Sequence, residues 1–438
     1  MARALRTIGL VLGLLTAGVA NAQPSRPTTD APVLARLGPY GVGLRTITLV
    51  QAAQVDVLAA RPSGAAPPTL KDRVLPVEVW YPARTAKGAK GVTYRYALPA
   101  EPPRGPVAFS SAGLAVRGAP ASGGRFPLVI VSHGYSNAPE AMSWLAENLA
   151  SNGYVVAAIH HNDPNYSDRV RAAEPMARRP LDIAFVAGAL RARIAAGTPG
   201  LKDADASRVV LIGYSMGGYG VLTAAGASLE PGGLPVAGVP GRPLADFVRG
   251  GPRAGELVVP GVKAVVAISP AGLRFGAWGA TGLSGVTAPL LVIGGTRDAT
   301  VGFADGIAPV FDQALHAPRY LLVFQNAGHA LGLDPAPAEA GSQLWDFQWF
   351  EDPVWRKDRI LGISQHMITA FVDRYAKGDE AKAAYLDSDV VAGGDGAWPA
   401  GSPGGYAAIS PGGPGATWKG FYRNTAIGLE LRRKPAAP

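Results

Sequence analysis

Val209-Val210-Leu211-Ile212-Gly213-Tyr214-Ser215-Met216-Gly217-Gly218 is the stretch that decides the fold. Its first four residues are apolar and rich in β-branched side chains, as a strand buried on both faces requires. Tyr219 to Ala227, just beyond it, is small and Ala-rich, which suits a helix packed closely on a sheet. Between the two, Gly-x-Ser-x-Gly reads as a sharp strand-to-helix corner. A Cβ at Gly213 or Gly217 would collide with neighbouring backbone, and the turn lifts the Ser215 hydroxyl clear of the sheet. In a chain with 57 glycines the bare pattern arises easily by chance, so its meaning comes from the flanking strand and helix.

A serine hydroxyl is a weak nucleophile until a base takes its proton, and the base needs a carboxylate to set its tautomer. After such a corner the acid and then the histidine follow in chain order, each on a loop beyond a later strand. Pro289 to Gly295 reads as a short buried strand leading into Thr296-Arg297-Asp298, and Tyr320 to Phe324 as another leading to His329. Asp298 is therefore the candidate acid and His329 the candidate base. Asp298 also suits a turn or a helix cap, and Asp305 competes with it while looking more like the cap of a helix from about Gly306 to Leu315. Of the six histidines, His133, His160 and His161 precede Ser215, the wrong order, while His316 and His366 fall on expected helix surfaces or ends. A tetrahedral intermediate needs two N–H donors, and the backbones of Met216 and of Tyr135, in Ser132-His133-Gly134-Tyr135, are the candidates. The Tyr135 ring and Trp278 are the candidate walls of a substrate site.

These pieces carry a family resemblance. Ser132 to Tyr135, Asn152-Gly153-Tyr154-Val155-Val156, Arg179-Pro180-Leu181-Asp182-Ile183 and the serine corner resemble the platelet-activating-factor acetylhydrolase-like and predicted dienelactone hydrolase group of α/β-hydrolases. The resemblance runs from about Gly38 to Lys377 and includes Trp80-Tyr81-Pro82. The His-Gly-Tyr and Ser-Met-Gly-Gly pieces are also similar to cutinase-like polyesterases, including those acting on poly(ethylene terephthalate). The resemblance implies an α/β-hydrolase fold that cleaves small carboxylic esters through an acyl-enzyme, with no cofactor. Two departures matter. Dienelactone hydrolases proper use a cysteine nucleophile, and this chain has no cysteine. In animal acetylhydrolases the acid follows the strand after the corner, whereas here Val262 to Ile268 leads into Ser269-Pro270-Ala271, so the acid comes one strand later at Asp298, as in the cutinase-like arrangement. Two other readings stay open: a cutinase-like polyesterase, and a catalytically inactive fold used for binding.

Outward from the corner, strand and helix alternate: Leu128 to Val131, helix Glu140 to Asn152, strand Tyr154 to Ile159, helix Pro180 to Ala196. Alternation predicts an α/β fold with a mostly parallel sheet covered on both faces, its ligand site at the carboxyl ends of the strands. Strands are also expected near Arg45 to Val50 and Leu75 to Tyr81, with Pro99 to Gly124 as a long surface connection. Two insertions are expected to shape the site. Residues 229–261, rich in Gly and Pro, are placed to cover it; residues 331–355 bring Trp345, Phe347, Trp349, Phe350 and Trp355 as a satellite core or a pocket wall. After a helix from Leu361 to Ala376, a Gly/Pro-rich extension, residues 378–438, is expected to pack back through Trp418 to Leu431.

The N-terminus reads as a cleavable signal peptide over residues 1–22: Arg3 and Arg6, an apolar run from Ile8 to Val19, then Ala20-Asn21-Ala22 before Gln23. The apolar run is shorter than the ~20 residues that span a bilayer. A secreted or periplasmic protein is expected, with residues 23–37 as a flexible lead-in to a catalytic domain over 38–377. With no cysteine, its stability rests on a core rather than on disulfides. The net charge of +9 invites nucleic acid, but the arginines are scattered or in pairs such as Arg178-Arg179 and Arg432-Arg433, so nucleic-acid binding is not expected. No metal site is expected either: His160 and His161 are adjacent at a strand end and point to opposite sides. Oligomeric state leaves no mark in the sequence.

Overall fold

The computed structural model describes residues 27–57, 59, 69–164, 173–394, 411 and 417–438. The expected signal peptide and the start of the lead-in lie outside them. The strands are β1 (Gly41–Val55), β2 (Leu70–Ala83), β3 (Thr93–Leu98), β4 (Val107–Ala112), β5 (Val116–Arg117), β6 (Phe126–Ser132), β7 (Val155–Ile159), β8 (Ala204–Tyr214), β9 (Val262–Ile268), β10 (Leu290–Gly295), β11 (Arg319–Phe324) and β12 (Leu429–Lys434). The α-helices are α1 (Ser143–Ser151), α2 (Glu174–Ala195), α3 (Met216–Ala224), α4 (Leu234–Ala237), α5 (Ala308–Gln313), α6 (Leu344–Phe347) and α7 (Lys357–Lys377).

Ten strands form one sheet in the order β12-β11-β10-β9-β8-β6-β7-β2-β1-β5. The pairs from β7 through β11 are parallel, with β8 between β6 and β9. The edges turn antiparallel, β2 on β7 at one side and β12 on β11 at the other. Side chains alternate across the central strands as the pleat dictates. Leu128, Ile130 and Leu211 enter a core shared with α2 and α3, while Val129, Val131, Val210 and Ile212 enter a second core shared with α1 and α7. A buried sheet clamped between two apolar layers is stiff, and its parallel strands all end on the side where Ser215 sits.

Several boundaries differ from the sequence expectation. The stretch Pro99 to Gly124 is not a bare connection, since β4 pairs with β3 in a separate two-stranded ribbon. Its small residues, Val107-Ala-Phe-Ser-Ser-Ala112, carry too little periodicity to announce a strand. Helix α2 begins at Glu174 rather than Pro180, and Pro180 lies inside it. As the seventh residue of the helix it removes one N–H from the ladder and crowds the Met176 carbonyl, a cost offset by the burial of Met176, Ala177, Leu181 and Ile183 in the core. The described part of the lead-in is docked, not flexible: Val33 N donates to Gly420 O at 3.0 Å, Leu34 N to His366 Nδ1 at 3.1 Å, and Asn148 Nδ2 to Ala35 O at 2.9 Å. His366, expected on a helix surface, is buried in α7 at that junction. Residues 229–261 pack beside α2 and the C-terminal end of α3, where Val259 N donates to Ala224 O at 2.8 Å.

Candidate active site

Ser215 joins β8 to α3 at φ 54° and ψ −116°, a left-handed backbone that a residue with a Cβ adopts only when its surroundings enforce it. Here they do. Ser215 N donates to Ile268 O at 2.9 Å, and Ser215 O accepts from Ala271 N at 2.9 Å and Tyr219 N at 3.2 Å. A Cβ on Gly213 would lie 2.2 Å from Gly217 O, and one on Gly217 would lie 1.9 Å from Ser132 O. Both glycines are thus sites where no other residue fits without moving backbone.

The structure brings the three candidate triad residues together. His329 Nε2 lies 3.0 Å from Ser215 Oγ, and His329 Nδ1 lies 2.7 Å from Asp298 Oδ2. The other carboxylate oxygen of Asp298 accepts the N–H groups of Thr300 and Val301, each at 3.0 Å. Burial opposes ionisation of Asp298, yet the hydrogen bond and charge of His329, with the Val301 N–H, outweigh it and hold the carboxyl below the usual carboxylate range. A carboxylate so held keeps the proton on Nδ1 and turns the Nε2 lone pair towards the hydroxyl, the arrangement a general base needs. Asp305 takes no part: it is exposed and 3.9 Å from Arg274.

Three side chains that the sequence reading did not single out fix the His329 loop. Asp352 Oδ2 accepts Gly328 N at 2.7 Å, Tyr214 OH donates to His329 O at 3.0 Å, and Lys357 Nζ donates to Ala330 O at 2.7 Å. Burial draws the Lys357 ammonium down to about 8. The Tyr214 ring lies 5.2 Å from the imidazole at an interplanar angle of 32°. An aromatic directly before the serine was a signal available for Tyr214; Asp352 and Lys357 had none. Of the insertion that follows His329, Phe350 is buried against Phe109, their rings 5.4 Å apart, and Trp355 packs on Phe324 at 5.2 Å, while Phe347 is exposed.

Met216 occupies the first turn of α3, where backbone N–H groups have no acceptor inside the helix. The loop carrying Tyr135 approaches from β6, and a Cβ on Gly134 would come within 3.3 Å of Ser215 Cβ. Tyr135 is half-buried there. Trp278 does not reach the site surface. Its side chain is fully buried, Nε1 donates to Thr223 Oγ1 at 3.0 Å, and its ring packs 5.7 Å from Tyr219. The backbone around it is tied to the chain beyond α3 through Ser228 N to Gly282 O at 3.0 Å and Glu230 N to Ala277 O at 2.8 Å, which draws the indole into the core.

A second Ser-His-Asp array lies behind the first. Ser132 Oγ is 2.8 Å from His161 Nε2, and His161 Nδ1 is 2.8 Å from Asp182 Oδ2. All three residues are fully buried, and Arg73 grips both Asp182 oxygens at 2.6 and 2.7 Å. His160 turns away towards Glu140, 3.4 Å distant. Among the described residues no group of three or more His, Cys, Asp or Glu side chains could hold a metal ion, and no helix is long and apolar enough to cross a membrane.

The structure resembles that of a ferulic acid esterase from Streptomyces cinnamoneus, with a TM-score of 0.51 and 19% identity over 82% of this chain and 94% of that one. The fold is that of the α/β-hydrolases. Residues 111–232 match a family model described as PETase: PET hydrolase-like. That span holds Tyr135, Ser215 and Met216 but neither Asp298 nor His329. Cutinase est2 of Thermobifida alba is 32% identical over 103 residues, 24% of this chain and 31% of the relative. Cutinase 2 of Thermobifida cellulosilytica is 32% identical over 103 residues, 24% of this chain and 36% of the relative. The chain thus spans about a third of the length of the curated relatives it matches.

Proposed function

We propose that this protein is a serine hydrolase that cleaves carboxylic esters through an acyl-enzyme. The observation that carries the reading is the hydrogen-bonded line from Ser215 Oγ through His329 to Asp298, at 3.0 and 2.7 Å, on a strained corner at the carboxyl edge of the sheet. Ser215 attacks the ester carbonyl while His329 Nε2 takes its proton. His329 then returns that proton to the leaving alcohol, and a water attacks the acyl-enzyme by the same route. Met216 N–H and Tyr135 N–H donate to the oxyanion. The cutinase relatives, and the PET hydrolase-like match over residues 111–232 that includes Ser215, support an ester rather than an amide. The acetylhydrolase-like motifs at Ser132 to Tyr135 and Arg179 to Ile183 support small acyl esters.

A second reading, a polyesterase, is favoured by one feature. Residues 111–232, the span that carries Ser215, match the PET hydrolase-like family model. Reaction with a fluorophosphonate, followed by peptide mapping, tests the common core; a folded protein with no adduct on Ser215 would leave a binding module in its place. Hydrolysis of nitrophenyl esters of rising acyl length, beside product release from a polyester film, separates the two substrates. We also propose export, on the basic, apolar and small-residue order of residues 3–22. A mature chain starting at Gln23, read by N-terminal sequencing, checks it.

A further inference from the structure

We propose that Arg179, held by Asp163, is the residue that aims the Tyr135 N–H at the oxyanion. The inference rests on the ester-hydrolase reading and adds to it a positioning residue that touches no reacting atom. It begins with one carbonyl. Gly134 O accepts from His133 Nδ1 at 2.7 Å, from Arg179 Nη2 at 3.1 Å and from Asn137 N at 3.3 Å. The His133 proton is assigned by its other nitrogen: Nε2 accepts His161 N at 3.3 Å, so Nδ1 carries the hydrogen. Burial first, then Arg179 and His161, pull His133 well below the ordinary imidazole range, so it stays neutral in this role.

Across a trans peptide the C=O and the next N–H point in opposite directions. Pinning the Gly134 oxygen from behind therefore fixes the direction of the Tyr135 N–H. The next peptide is pinned by the same pair. Ser136 N donates to Asp163 Oδ2 at 2.8 Å, and Asp163 is in turn bound by both terminal nitrogens of Arg179, Nη1 at 3.0 Å to Oδ1. Ser136 sits at φ 55°, a left-handed conformation that needs such an anchor, and its hydroxyl adds a bond to Pro164 O at 2.8 Å. The peptides on either side of Tyr135 thus end on the two halves of one ion pair, and Gly134 lies against Ser215.

Burial argues that this pair serves orientation rather than stability. The Arg179 side chain is 0% exposed and that of Asp163 2%. Taking two charges out of water is costly, and well-packed apolar residues often replace such pairs with no loss of stability. What apolar residues cannot supply is a forked donor that holds a carbonyl and a carboxylate at once. The guanidinium also polarises the Gly134 peptide, which strengthens its N–H as a donor to a developing negative charge.

The test compares wild type, Arg179→Lys and Asp163→Asn on a nitrophenyl ester and on phenylboronic acid, which forms a tetrahedral anion on the nucleophile. Loss of one oxyanion donor costs about 10²–10³ in kcat. Arg179→Lys, which keeps the charge but not the fork, is expected to lose about 10²-fold in kcat and a parallel factor in boronate affinity, with KM little changed and the pH profile unmoved. Asp163→Asn should show the same pattern more weakly, and it carries the test should Arg179→Lys fail to fold. A folded variant that keeps wild-type kcat and boronate affinity, or loses kcat and KM together, overturns the proposal. Fluorophosphonate labelling of wild type at Ser215 keeps the two claims apart: a wild type with no adduct brings down the ester-hydrolase reading itself, and this inference with it.

Discussion

The two Ser-His-Asp arrays are almost identical in length and opposite in circumstance. Ser215, His329 and Asp298 are spaced at 3.0 and 2.7 Å, Ser132, His161 and Asp182 at 2.8 and 2.8 Å. The first sits on a strained corner with its imidazole partly open to solvent. The second is sealed in the core, and no ester can reach it. Their electrostatics differ as much as their access. Asp298 is held by backbone N–H groups and its histidine, so its charge remains available to a developing imidazolium. Asp182 is gripped by Arg73, and burial with Arg179 and Arg73 pulls His161 well below the ordinary imidazole range. A histidine that refuses a proton cannot act as a base. Triad distances alone therefore do not make a catalytic triad; access, and an acid free of cations, complete it.

The sharpest way to break this contrast is to remove each serine. Ser215→Ala is expected to lower kcat by about 10⁴-fold or more, as removal of a triad nucleophile does. Ser132→Ala should leave turnover in place and cost about 1–3 kcal/mol of stability, the penalty of a buried His161 nitrogen left without its donor. Ester turnover and denaturant melts of the two variants check both halves, and a Ser132→Ala enzyme as dead as Ser215→Ala would erase the distinction. The acids come next. Asp298→Asn reverses the tautomer of His329 and is expected to lower kcat by about 10⁴-fold with little change in stability. Asp182→Asn instead strands a buried Arg73 and should cost about 3–5 kcal/mol, with turnover per folded molecule affected far less than by Asp298→Asn.

This contrast marks what a sequence can disclose. The corner at Ser215, the buried strands before Asp298 and His329, and the alternation behind a parallel sheet were all legible, because each is local: a glycine pattern, an apolar run, a period. Asp298 was distinguishable from Asp305 only by its place after a strand. The sealed array and the Arg179–Asp163 clamp were hidden, since their members lie on β2, the end of β6, the segment after β7 and α2, and only the fold brings them together. Chain order set His133 and His161 aside as catalytic bases, but order says nothing of supporting roles. Trp278 misled for the same reason: a tryptophan after a strand of the site announces its size, not the direction in which its backbone will carry it. The docked lead-in was invisible because its partners, Gly420 and His366, stand more than three hundred residues away.

The smallest expected effect concerns acid, and its sign follows from where protons bind. Folded His161 stays neutral while the unfolded chain takes up a proton below about 6.5, so the unfolded state binds more protons and stability falls as pH falls through that value. Other buried groups blur this in wild type. His133 and His366, the latter pulled down to about 3, push the same way, whereas Asp334, raised by burial to about 7, and Glu147, also raised by burial, hold protons in the folded state and gain stability on acidification. The measure is accordingly a difference. In His161→Gln the amide can donate to Asp182 and accept from Ser132 but has no proton to gain. Relative to this variant, wild type should lose up to about 1.4 kcal/mol of unfolding free energy per pH unit between pH 6 and 4.5. Asp298 does not enter that window, since its lowered carboxyl withdraws stability only below about 3.8. A difference that stays flat across it would mean that His161 carries its proton in the folded core, and the sealed array would then be as chargeable as the open one.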